Sequence, residues 1–128
     1  MLRLDQGEEL FSSLSSFAEQ TGIRAATFTV IGTAKEVTLS WYDIREKKYE
    51  DTTIADELEV LGVIGNIGVM EGKPAIHAHG LISDRALAVK GGHIKRLVVH
   101  ATCEVSLVIA SGTFERAYDP SSGLNLLS

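Results

Sequence analysis

Three histidines at close spacing are the residues best suited to chemistry. They occur as His77-x-His79, followed by Gly91-Gly92-His93, inside the stretch Leu58 to Ile94. Side chains alternate along a strand, so His77 and His79 project from one face if this segment is extended. Three imidazoles with an open position describe a zinc site that holds a water or substrate oxygen, and such a metal polarises a carbonyl or acidifies bound water. The competing reading is a set of polar residues lining a groove or a subunit contact. Glu59 and Glu104 lie within apolar strand-like runs. A buried carboxylate there can act as an acid/base or brace a ligand histidine, or it can serve a structural hydrogen bond or an inter-subunit ion pair. Asn66 is a further possible donor, on weaker grounds. His100 is seven residues past His93, which puts it on the opposite face of a regular strand. Cys103 has no activating partner in sequence and reads as a small core residue. No Gly-x-Ser-x-Gly elbow is present to support a serine hydrolase.

Whether His93 meets the other two depends on strand register. A two-residue turn across Ser83–Ala86 pairs 83 with 86 and sets His93 opposite Ile76, on the wrong face. One further loop residue brings His77 and His93 opposite each other, and a bulge at Gly91-Gly92 has the same effect.

The elements that must position these residues are mostly strands. Leu2 and Leu4 flank Arg3 in a short strand signal. GEELFSSLSSFAEQTG (7–22) reads as a helix, with Leu10, Phe11, Leu14, Phe17 and Ala18 on one stripe, Glu8 and Glu9 at its positive end, and Gly22 as its stop. Strands are expected at 25–31, 36–42 and 49–54, with Val37, Leu39 and Trp41 sharing one face and DIREKK in a solvated turn. Further strands are expected at 58–70, 75–82, 86–90, 94–99, 104–110 and 114–118. Glu71-Gly72-Lys73-Pro74 and Ser83-Asp84-Arg85 make turns, and DPSSGLNLLS reads as a loose tail. This is an α+β domain covering residues 1–128, a mostly antiparallel sheet with one main N-terminal helix packed on it. Its long apolar strands invite oligomerisation through the sheet.

The totals narrow the function. The chain has 128 residues, a net charge of −5, and 45% hydrophobic and 23% charged residues. That suits one globular domain, and its acidic balance argues against a free-standing nucleic-acid binder. One cysteine cannot form an internal disulfide, which suits a reducing cytoplasm. No signal-peptide core or apolar run of membrane-spanning length occurs, so no membrane association is expected.

Taken together, the residues resemble the PPC domain family of plants and prokaryotes. The matching features are residues 4–10 (LDQGEEL), Leu58-Glu59-Val60-Leu61 leading to Gly65-Asn66-Ile67, and His77-x-His79 with Ser83 and Asp84. Gly91-Gly92-His93, Thr102-x-Glu104-Val105, Arg116-x-x-Asp119 and Ser122-Gly123-Leu124 complete the set. In plants this domain follows an AT-hook, an Arg-Gly-Arg-Pro-like segment that enters the minor groove; no such segment occurs here. The resemblance implies a stand-alone, prokaryotic-type domain associating as a homotrimer, with zinc on His77, His79 and His93. It leaves two roles open: an unassigned ligand-binding or metal-assisted catalytic function, with Glu104 and Glu59 as catalytic candidates, or a DNA-binding or transcription-associated one.

Overall fold

Strongly β-forming runs are joined by turns whose chemistry fixes the register, and interruptions inside the runs become bulges instead of breaks. The computed structural model describes residues 1–128. Its elements are β1 (Leu2–Asp5), α1 (Leu10–Thr21), β2 (Ala26–Asp43), β3 (Lys48–Met70), β4 (Lys73–Ser83), β5 (Val89–Ile109), β6 (Arg116–Asp119) and β7 (Leu124–Leu127). The sheet order is β1-β5-β2-β3-β4, all pairs antiparallel. β4 also pairs with β5, so β5, β2, β3 and β4 close into a ring. The fold is α+β, as the sequence implies.

Several expected strands prove to be halves of longer ones. The runs 25–31 and 36–42 join as β2, with register shifts at Val30/Gly32 and Ala34/Glu36. Gly32, at φ +147°, permits the first bend; a side chain there would strike the backbone of Thr102 and Cys103. The runs 49–54 and 58–70 likewise join as β3, and 94–99 and 104–110 fall within β5. A further shift, between Thr38 and Leu39 against β5, leaves the extra residue, Lys95, in β5, while β2 runs regularly against β3 from Glu36 to Asp43. Val37 and Leu39 are buried as expected, but Trp41 is 64% exposed and Ser40 is buried in its stead. β2 has no bulge between Leu39 and Trp41, so Trp41 keeps its place in the alternation but lies near the strand's end, outside the core.

Turn chemistry sets the connections that matter for the site. Met70 pairs with Lys73, so Glu71 and Gly72 form a two-residue hairpin, both with positive φ. The expected strand at 86–90 begins only at Val89. Residues before it wrap around Asp84, whose Oδ1 accepts from the backbone N–H groups of Ala86 and Ala88. The expected loose tail is also structured. Asp119 accepts hydrogen bonds from Ser121 and Ser122, Gly123 turns the chain at φ 75°, and β7 returns along β6.

Helix α1 buries Leu10, Leu14 and Ala18, with Phe11 and Phe17 packed at the edge of the core. Gly22 closes it in the left-handed conformation. Glu9 is the N-cap: its carboxylate accepts from the N–H groups of Phe11 and Ser12 and, across the gap to the sheet, from that of Leu97. Glu9→Ala removes all three and is expected to lower stability by about 1–2 kcal/mol. A urea midpoint equal to that of the wild type would show that water replaces the cap without loss.

Candidate metal centre

Strand register brings the three histidines together. Ser83 pairs with Val89, Leu81 with Gly91, and His79 with His93. The connection is therefore longer than either turn considered from sequence. His93 stands opposite His79 and not His77, and the parity still puts all three on one face. The ladder runs regularly through Gly91 and Gly92, so no bulge there supplies the correction. Those glycines instead allow close approach. A side chain on Gly91 would run into Leu81 and the Gly80 carbonyl, and one on Gly92 would come within 3.0 Å of the Ser40 carbonyl oxygen.

The imidazole centroids lie 5.1 Å (His77–His79), 5.2 Å (His77–His93) and 5.3 Å (His79–His93) apart. One nitrogen from each ring falls within 4.8 Å of the others. His77 and His93 are half-buried and His79 is exposed.

Burial favours the neutral form of His77 and His93. Burial, then the neighbouring His77, His79 and Lys95, pushes His93 down to about 4, against a smaller opposing pull from Asp51. Burial also lowers His77, with added repulsion from Arg116 and His79. At neutral pH both therefore offer a free lone pair, the state a metal requires. Nδ1 of His93 is buried without a hydrogen-bond partner. An orphaned acceptor or donor among three convergent imidazoles fits a metal ion better than a self-sufficient polar cluster.

A supporting layer holds His93. The Tyr49 ring lies 5.0 Å from it, and Lys95 Nζ sits 4.7 Å over Tyr49. Lys95 donates to Asp51 at 2.8 Å, and Ser40 Oγ donates to the same carboxylate at 2.7 Å. These bonds, the one from Lys95 foremost, hold Asp51 below its ordinary carboxylate range.

On the His77 and His93 side lies a cavity of about 520 Å³, roofed by the β6–β7 hairpin. Asn66 and Arg116 line it as well. Arg116 donates from Nη2 to Asn66 Oδ1 at 2.7 Å and from Nη1 to the Asn125 carbonyl at 2.9 Å. Its Nε is buried with no partner, and burial lowers its pKa.

Other sequence candidates lie elsewhere. Glu59 and Glu104 are exposed, so the premise of buried carboxylates does not hold, and neither lines the cavity. Glu59 pairs with Thr33 and Ser83, and Glu104 with Arg3 and Ile31. His100 is outside the cluster. Cys103 is a core residue with its thiol raised by burial. Asn66 does face the site. Tyr49 carries no signal in the sequence, because the β2–β3 pairing brings it in; Lys95 lies two residues past His93 on β5, and Arg116, part of the Arg116-x-x-Asp119 match, arrives by the fold-back of the C-terminal hairpin.

The chain is similar to several solved proteins. A metal-containing protein from Archaeoglobus fulgidus is 33% identical, with a TM-score of 0.91, over 99% of this chain and 90% of the other. A protein from Ralstonia eutropha JMP134 with a provisional DNA-binding name is 31% identical, with a TM-score of 0.93, over 99% and 88%. A plant- and prokaryote-conserved protein from Pyrococcus horikoshii is 28% identical, with a TM-score of 0.93, over 99% and 88%. No curated protein matches the sequence significantly. The family model of the Plants and Prokaryotes Conserved domain matches residues 1–113. With that match over most of its length, the chain belongs to the Plants and Prokaryotes Conserved domain family.

Proposed function

We propose that this protein is a metal-binding domain that holds zinc on His77, His79 and His93 and uses it to bind a small molecule or assist its reaction. The observation that carries this reading is the convergence of three imidazole nitrogens within 4.8 Å. The metal-containing relative from Archaeoglobus fulgidus speaks for it too. When bound, zinc with three protein ligands supplies Lewis-acid polarisation of a ligand oxygen. The chain's own contribution is orientation: β4 and β5 fix the rings, and Tyr49 braces His93. The all-imidazole donor set suits zinc better than magnesium or calcium.

The same reading includes assembly as a homotrimer in the cytoplasm. Exposed apolar residues surround His79 on the outer face of the sheet: Ile64 is 73% exposed, Leu81 51% and Val89 55%. A face of this kind is normally covered by another subunit. No helix of the structure is long and apolar enough to cross a membrane.

Metal analysis of protein purified without a histidine tag is the direct test. The wild type is expected to carry close to one zinc per chain and His79→Ala to carry almost none. Wild-type protein without stoichiometric zinc at neutral pH, unchanged by His79→Ala, would remove the proposal.

A second reading, a DNA-binding or transcription-associated module acting without an AT-hook, is favoured by the name of the relative from Ralstonia eutropha JMP134. The net charge of −5 opposes it. Titration with duplex DNA at two salt concentrations separates the two, since phosphate contacts give a steep loss of affinity with salt. No binding at low salt would end the case for direct DNA recognition.

A further inference from the structure

Arg116 is not explained by the metal site. It is half-buried in the wall of the cavity that His77 and His93 border. Its two hydrogen-bond partners, the Asn66 side chain and the Asn125 carbonyl, are both neutral, and no carboxylate forms an ion pair with it. None of the residues lining the cavity is an aspartate or glutamate. A guanidinium cannot shed its charge at neutral pH, so the cavity carries an uncompensated positive group. The two bonds to Nη1 and Nη2 fix the plane of the group, yet Nε–H is left with nothing to donate to. A buried donor in this state costs stability, and such a cost is commonly met where a ligand completes the bonding.

We propose, building on the metal reading above, that this cavity binds a small organic carboxylate. Arg116 holds the carboxylate, and the metal on His77, His79 and His93 takes a second oxygen of the same molecule. A planar, singly charged carboxylate matches both the single uncompensated charge and the guanidinium fork. The rest of the wall is largely apolar, with Met70, Ile76, Leu124 and Leu126 among its residues. It therefore suits a short aliphatic body between two oxygen-bearing ends. A phosphate would present more charge and hydrogen-bond acceptors than one guanidinium and these apolar walls accommodate.

Calorimetric titration with the linear dicarboxylates from malonate to adipate tests this, because the series spans a range of separations between the two ends. At least one member is expected to bind zinc-loaded wild type with a dissociation constant below about 1 mM, an affinity of ordinary small-ligand scale. Arg116→Gln is expected to weaken that binding at least tenfold, with Arg116→Lys, which keeps the charge but loses the fork, falling between. Zinc content of every sample is measured alongside, and Arg116→Gln is expected to load zinc as the wild type does. Circular dichroism reports folding of the variants, and Arg116→Lys decides the matter should Arg116→Gln not fold. Equal binding by wild type and variant, or no binding by any member of the series, overturns the proposal. Inorganic phosphate bound more tightly, with the same dependence on Arg116, overturns the carboxylate assignment. If the protein loads no zinc, the metal reading fails separately. The metal-free titration then reads Arg116 alone: a tenfold loss in Arg116→Gln supports the carboxylate site, and no loss overturns it.

Discussion

Gly65→Val is expected to destabilise the domain by about 3 kcal/mol, a large share of the stability of a typical small protein. Gly65 lies in β3 directly beside Ala78 of β4. A side chain there would fall 2.6 Å from the His77 carbonyl oxygen and 2.7 Å from Cε1 of Phe28. Neither neighbour can yield. Phe28 is 2% exposed in the centre of the core, and the His77 backbone belongs to the β3–β4 ladder. Any relief must displace the strand that carries two of the three histidines, so the same substitution is expected to weaken zinc affinity in whatever protein remains folded. Gly62, three residues earlier, borders open space: a Cβ added there would meet nothing within 4 Å. Gly62→Ala is accordingly expected to change stability by no more than about 1 kcal/mol. Denaturant midpoints of the two variants give the comparison. Similar losses in both would mean that close approach at Gly65 is not what the sequence protects.

Acidification is expected to weaken the metal-free protein through His93. Its folded-state value of about 4 lies below the ordinary 6.5, so the unfolded chain takes up a proton that the folded chain refuses. The associated stability is complete above about pH 6.5 and is lost as pH falls towards 4. After allowance for partial solvent screening, the loss is about 2 kcal/mol. His77, also lowered, acts in the same direction. His93→Gln removes the titrating group and is expected to flatten stability across this window. Zinc at a thousand times its dissociation constant is expected to add about 4 kcal/mol at neutral pH. That increment shrinks on acidification only as far as protons compete for the same nitrogens, which the lowered values of His77 and His93 resist. Denaturant midpoints with zinc and with chelator, at pH 7.5 and 5.0, check both effects. A metal-free protein more stable at pH 5.0 than at 7.5 would contradict the burial of His93 as the dominant influence.

The sequence resolves the site better than its surroundings. Period-2 spacing suffices to place His77 and His79 on one face, since it needs only an extended backbone. His93 requires the length of the connection after Ser83. That length is set by how Asp84 gathers the N–H groups of Ala86 and Ala88, a local competition that strand propensity does not reveal. Strand continuity is harder to read for a related reason. Gly32 looks like an end, and only the close passage of the Thr102–Cys103 backbone shows it to be a bend within β2. Trp41 alternates with Val37 and Leu39 yet lies outside the core near the end of β2, which alternation alone does not reveal. The hairpin β6–β7 has readable turn chemistry in Asp119, Ser121, Ser122 and Gly123, but its polar composition resembles that of a tail. Glu59 and Glu104 illustrate the opposite error. Apolar neighbours along a strand alternate between two faces, so a charged residue among them is often simply on the outer one.

The pairing of β1 with β5 has a consequence for how the chain is made. Leu2 finds its partner in Val105, and Ala26 pairs with Ile109. During synthesis β1 therefore waits until β5 has been made before it can dock, and the apolar stripe of α1 waits with it. Closing such distant pairs carries a large entropic cost before any contact rewards it, which makes folding slow and essentially all-or-none. Until β5 has emerged, the nascent protein is a set of uncovered strands and an amphipathic helix, the form most dependent on chaperones and most prone to aggregate.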